Sequence, residues 1–135
     1  MSNPSDITRL LLDTNAFLYF INNDTALSKK AKKVVEAEVD LLISAASLWE
    51  IAIKFSIGKL TLPDTFGNFI PTQIYQNNIE ILPITLPHLE KVSSLPFHHK
   101  DPFDRLIIAQ SIVENLPVIS SDVAFDLYGI ERIWN

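Results

Sequence analysis

Four carboxylates stand at the margins of apolar runs, where a charge is costly unless it has work to do. Asp13 closes Leu10-Leu11-Leu12, and Glu50 lies inside Ser47-Leu48-Trp49-Glu50-Ile51-Ala52-Ile53. Asp104 opens Arg105-Leu106-Ile107-Ile108-Ala109, and Asp122 follows Pro117-Val118-Ile119-Ser120-Ser121. If the fold gathers them, they form a negative pocket of oxygen ligands. Such a pocket suits Mg²⁺ or Mn²⁺, and these ions suit phosphodiester hydrolysis. The pattern therefore points to metal-dependent nuclease chemistry.

Apolar runs alternate along the chain with amphipathic segments. Strands are expected over 8–13, 41–44, 79–84, 117–120 and 130–134. Helices are expected over 15–21, from a Ser28 cap to about 38, and over 45–57 with Gly58 as the stop. Further helices are expected over 70–76, 86–94, 102–115 and 123–128, with Pro71 tolerated only near a helix start and 96–100 as a loop. Strands separated by helices imply right-handed crossovers, and so a mainly parallel sheet covered by helices on both faces, the α/β class. In such sheets ligands bind beyond the carboxyl ends of the strands, where the strand order reverses. Asp13 and Asp122 fall at strand carboxyl ends. Glu50 is in the helix that leaves the second strand, and Asp104 starts the helix that leads into the fourth.

The totals agree with one domain spanning residues 1–135, with 1–6 as a frayed N-terminus. At 135 residues and 47% apolar, the chain can bury a substantial core. It has no cysteine, which excludes disulfides, zinc-thiolate sites and a cysteine nucleophile. The N-terminus lacks the basic and apolar regions of a signal peptide, and no uncharged apolar run approaches the ~18 residues of a membrane span. No membrane association and a cytoplasmic location are the default expectation. The net charge of −5 lacks the basic footprint of many nucleic-acid binders, but most of it resides in the four acids. Without them the chain is close to neutral.

Each acid has a plainer reading. Asp13 and Asp122 are good helix caps, although Ser121 is an equal candidate for the second cap. Glu50 is placed to pair with Lys54 one turn later, yet its helical neighbours Ala46, Ile53 and Ile57 put it on an apolar face, where a carboxylate needs a partner or a metal. Asp101 followed by Pro102 reads as a cap with proline in the first turn, and it can pair with Arg105. Asp104 lies where the helix dipole favours a negative charge. Asp126 is expected to face solvent. His98 and His99, in the loop before this helix, can reach a substrate or simply be exposed. Lys29, Lys30, Lys32 and Lys33 read as a solvated helix face that can also meet RNA or a partner.

The segments Leu11-Leu12-Asp13-Thr14-Asn15, Ser47-Leu48-Trp49-Glu50-Ile51, His99-Lys100-Asp101-Pro102-Phe103-Asp104-Arg105 and Ser120-Ser121-Asp122 together resemble the PIN-domain ribonucleases, in particular the VapC-like toxins of toxin–antitoxin pairs. The resemblance implies a five-stranded sheet of order 3-2-1-4-5. It also implies Asp13, Glu50, Asp104 and Asp122 as the catalytic, metal-binding acids, loaded with one or two Mg²⁺ or Mn²⁺ ions. Asn15 would help to orient Asp13, Ser120 stands where many members carry threonine, and Asp101 and Arg105 belong to the supporting motif. The implied substrate is RNA and the implied partners are a cognate antitoxin and a second copy in a homodimer. Two other families with an acid after the first strand fit poorly. HAD-type phosphatases need a second aspartate where Asn15 stands, and receiver domains need an acceptor aspartate that Ile81-Leu82-Pro83-Ile84 does not offer. The alternative of another class is a catalytically silent PIN scaffold that binds RNA or protein.

Overall fold

The computed structural model describes residues 7–135; the expected frayed segment 1–6 lies outside them. The strands are β1 (Arg9–Leu12), β2 (Asp40–Ser44), β3 (Glu80–Leu82), β4 (Val118–Ile119) and β5 (Arg132–Ile133). They form one wholly parallel sheet in the order β3-β2-β1-β4-β5. The helices are α1 (Thr14–Ile21), α2 (Lys29–Val35), α3 (Ala45–Ser56), α4 (Phe66–Gln76), α5 (Leu86–Ser94) and α6 (Pro102–Glu114), with a 3-10 helix over Val123–Tyr128.

The two-residue side-chain period of a strand divides the core between the faces of the sheet. Leu10 and Leu12 of β1, with Leu41 and Ile43 of β2, pack with Ala16 and Phe17 of α1, Ala31 of α2, Ile51 of α3 and Ile70 of α4. Leu11 and Leu42 point the other way, against Ile107 and Ile108 of α6 and Phe125 of the 3-10 helix. Helices therefore cover both faces, and the central strands carry continuous apolar runs because both of their sides are buried. Among the described residues no helix is long and apolar enough to cross a membrane.

The elements differ from expectation mainly at their ends. α2 stops at Val35 rather than near residue 38. α3 ends as anticipated, with Gly58 at φ +75°, a conformation costly for residues with a Cβ. α4 begins a turn earlier than expected, because the Thr65 side chain caps Asn68 N–H; Pro71 thus lies inside the helix rather than near its start. The last element before β5 is 3-10 rather than α-helical, and β3, β4 and β5 are shorter than their apolar runs.

Candidate active site

With β1 flanked by β2 and β4, the chain runs outward in both directions from the middle of the sheet. This opens a crevice at the carboxyl ends of β1 and β4. Leu12 is in register with Ile119, so the residues that follow, Asp13 and Ser120, emerge side by side. Asp13 N–H donates to the Ile119 carbonyl at 3.1 Å, which extends the β1–β4 pairing up to the acid itself.

Asp13 is buried and caps α1, its Oδ1 accepting from Ala16 N–H at 2.8 Å. It is also hydrogen-bonded by Ser120. Burial nevertheless raises its carboxyl to about 6, helped by the charges of Asp122 and Glu50, because the bonds from Ser120 and Ala16 offset only part of the desolvation. Asn15, one position into α1, is exposed.

Glu50 is buried on the second turn of α3. Lys54 Nζ lies 2.7 Å from its Oε2, the pairing anticipated from the i,i+4 spacing, and Glu50 raises the lysine pKa in return. Thr14 Oγ1 is 2.7 Å from its Oε1 and 2.9 Å from Ser47 Oγ. A hydroxyl carries one proton, and the carboxylate can only accept. Thr14 therefore donates to Glu50 and receives the Ser47 hydroxyl.

Asp104 sits in the first turn of α6, partly buried. Its carboxyl is raised to about 7, by burial first and then by Asp101, Asp13 and Glu50, against the lowering influence of His99. Asp101 caps the helix, accepting from Phe103 N–H at 2.8 Å and Asp104 N–H at 3.0 Å. The expected Asp101–Arg105 pair is not formed. Arg105 is buried and directs its guanidinium to the carbonyls of Val92, Leu95, Pro96 and His99, at 2.9–3.4 Å, with the Phe97 ring 4.1 Å away. A planar fork of five donors can serve several carbonyls at once, more than a single carboxylate partner would occupy. The 95–100 loop is clamped onto α6 as a result.

Asp122 caps the 3-10 helix through Ala124 N–H at 3.0 Å, the role for which Ser121 was an equal candidate; its own N–H donates to Ser120 Oγ at 3.0 Å. Its Oδ2 lies 2.8 Å from His99 Nε2, and Asp104 Oδ2 lies 3.2 Å from the same nitrogen. The sequence left His98 and His99 equivalent. The fold separates them, with His98 exposed against the edge of Tyr128 and His99 turned into the acids. The local signal was the spacing His99-x-Asp101, which lets Asp101 N–H reach His99 Nδ1 at 3.2 Å. Thr14 offered no comparable signal. Asp126 faces solvent but is paired with Arg132 at 2.9 and 3.0 Å, which lowers its pKa. Lys29, Lys30, Lys32 and Lys33 are exposed on α2.

The structure thus brings Asp13 within electrostatic reach of Glu50, Asp104 and Asp122, and Asp104 and Asp122 meet at His99. Asp13 and Asp104 are held with raised carboxyls, and the donors are mainly oxygen. His99, Asp104 and Asp122 each offer an atom within 4.8 Å of the others. A hard divalent cation fits this donor set, because it supplies the positive charge that neighbouring side chains only partly provide.

A PIN domain profile matches residues 10–131. No curated protein matches the chain. Among solved structures, VapBC2 from Rickettsia felis bound to a DNA fragment from its promoter is similar over 95% of this chain and 100% of its own, with a TM-score of 0.71 at 18% identity. FitAcB from Neisseria gonorrhoeae is similar over 93% of this chain and 96% of its own, with a TM-score of 0.67 at 18% identity. DNA-bound VapBC from Salmonella typhimurium is similar over 94% of this chain and 98% of its own, also at 0.67, with 17% identity. At these identities the structures speak for the fold. With the profile covering nearly the whole sequence, and the strand order and crevice as described, the chain belongs to the PIN domain family.

Proposed function

We propose that this protein is a metal-dependent endoribonuclease that acts as the toxin of a toxin–antitoxin pair in the cytoplasm. The observation that carries the reading is the accumulation of carboxylates at the β1–β4 crevice, with Asp13 raised to about 6 and Asp104 to about 7. Such groups are poised to exchange a proton for a cation near neutral pH. Asp13, Glu50, Asp104 and Asp122 would hold one or two Mg²⁺ or Mn²⁺ ions. When bound, the cation supplies an acidified water and a counter-charge for the phosphate. Asp13 and Glu50, fixed by Ala16, Ser120, Thr14 and Lys54, provide the rigid side of the site. Asp104 and Asp122 provide the other side, and a carboxylate not engaged with metal can accept the water's proton. Lys54 offers positive charge beside Glu50, and the exposed lysines of α2 offer more to an RNA backbone. The similarity to VapBC structures supports a cognate antitoxin as partner, and a homodimer is proposed as the resting assembly.

The test is incubation of the purified chain with mixed cellular RNA in EDTA, Mg²⁺ and Mn²⁺, with Asp13→Asn as control. Metal-dependent cleavage by wild type alone supports the reading. No cleavage, together with no metal-induced rise in Tm, overturns it in favour of a silent binding scaffold. The toxin role is tested by expression, which should slow growth unless the adjacent small gene is co-expressed.

A further inference from the structure

His99 is held from several sides. Its backbone N–H donates to Tyr128 Oη at 2.9 Å, and its carbonyl accepts from Arg105 at 3.4 Å. Its ring meets the edge of Phe125 with 5.9 Å between centroids. The contact at Nδ1 decides its chemistry. Asp101 N–H points at this nitrogen from 3.2 Å, and a backbone amide can only donate. Nδ1 must therefore accept, which puts the ring hydrogen on Nε2. That hydrogen faces Asp122 Oδ2 at 2.8 Å, with Asp104 Oδ2 next at 3.2 Å.

The spacing of these three side chains would suit a His-Asp-Asp metal set. The tautomer argues otherwise. A ligating nitrogen needs its lone pair, and moving the hydrogen to Nδ1 would set it against Asp101 N–H. We infer that His99 is a positioning residue: its Nε2–H is hydrogen-bonded to Asp122 of the segment after β4, with Asp104 of α6 close beside it at 3.2 Å, and it holds these carboxylates at one separation without joining the ligand set. Asp104 and Asp122 come from segments that share no strand pairing, so a histidine set between them fixes a distance that the sheet alone does not. The effect on metal binding rests on the proposed metal site; the tautomer and these contacts do not.

Long-range proton–nitrogen NMR of the metal-free protein, with His99 assigned by comparison with His99→Gln, should show hydrogen on Nε2 and a bare, accepting Nδ1. Hydrogen on Nδ1 alone would overturn the inference. Pulsed EPR of the Mn²⁺-loaded wild type should show no directly bound histidine nitrogen, and a strong nitrogen coupling that disappears in His99→Gln would make His99 a ligand instead. Mn²⁺ titration should show roughly 10–100-fold weaker binding for His99→Ala, the usual cost of losing a group that orients a ligand. His99→Gln, which keeps an N–H donor at similar reach, should recover much of that loss. Equal affinities in wild type and His99→Ala would overturn this inference and leave the metal site standing. Failure of wild type to bind Mn²⁺ would overturn both.

Discussion

Thr14 Oγ1 lies 2.7 Å from Glu50 Oε1, joining the first residue of α1 to the second turn of α3 across 36 positions of sequence. Both residues are buried, so this bond is how the α1 side of the crevice fixes an acid carried by α3. Thr14→Val keeps the shape but removes the donor, leaving Glu50 Oε1 and the Ser47 hydroxyl short of a partner. We expect RNA cleavage to fall by roughly 10–100-fold and stability by about 1–3 kcal/mol, with Thr14→Ser close to wild type in both. Cleavage rates and urea unfolding of the three proteins measure this.

Asp13→Asn and Asp104→Asn should each reduce cleavage by at least the roughly 10–100-fold typical of losing a mere supporting group at a metal site. Asp101→Asn should retain much of the activity, because asparagine caps a helix about as well as aspartate. An Asp104→Asn protein as active as wild type would remove Asp104 from the site.

Crowding of like charges should make the metal-free protein gain from losing one. Asp104→Asn should melt no lower than wild type in EDTA, since the change relieves repulsion from Asp101, Asp13 and Glu50. Millimolar Mg²⁺ or Mn²⁺ should then raise the wild-type Tm more than that of the variant, because a ligand bound only by the folded state stabilises it by mass action. Thermal melts in both conditions decide the matter. Equal metal responses would mean that Asp104 does not share the cation.

The pH dependence should reverse between the metal-free and metal-loaded states. A carboxyl raised from 3.8 to about 7 in the fold, as at Asp104, binds its proton more tightly folded than unfolded. That contribution is fully present below pH 3.8 and is lost as pH rises through about 7. Asp13 behaves likewise, its loss running from pH 3.8 to about 6. In EDTA, the stability of wild type relative to Asp104→Asn should therefore decline between about pH 4 and 7. With saturating Mn²⁺ the difference should grow with pH instead, because the metal displaces the proton. Urea midpoints of both proteins across this range provide the comparison, and a flat difference in EDTA would contradict the raised carboxyl.

Arg105→Lys should be destabilising despite the conserved charge. A single ammonium cannot reach all four carbonyls that the guanidinium holds; Val92 and Pro96 keep donors in Leu95 N–H and Tyr128 Oη, but a carbonyl of Leu95 or His99 left buried without a donor costs about 1–3 kcal/mol. The 95–100 loop should also gain amide hydrogen exchange, which would be seen by mass spectrometry. Unchanged exchange there would mean that the clamp does not order the loop.

The residues themselves revealed which carboxylates stand at the margins of apolar runs, and that strands alternate with helices. They also revealed the caps at Ser28 and Asp101. These features are legible because they depend on neighbours two to four positions away, or on a period of two or 3.6. The strand order came from likeness to a family, since periodicity says that a segment pairs but not with which partner; the β1–β4 register then makes Asp13 and Ser120 neighbours. Only the tertiary structure distinguished His99 from His98, gave Thr14 to Glu50, and turned Arg105 from Asp101 to the carbonyls of a loop. Most of these outcomes depend on atoms brought together across long stretches of chain. There the choice of partner is made by sheet order, burial and the number of donors a side chain can aim, none of which is encoded in local spacing.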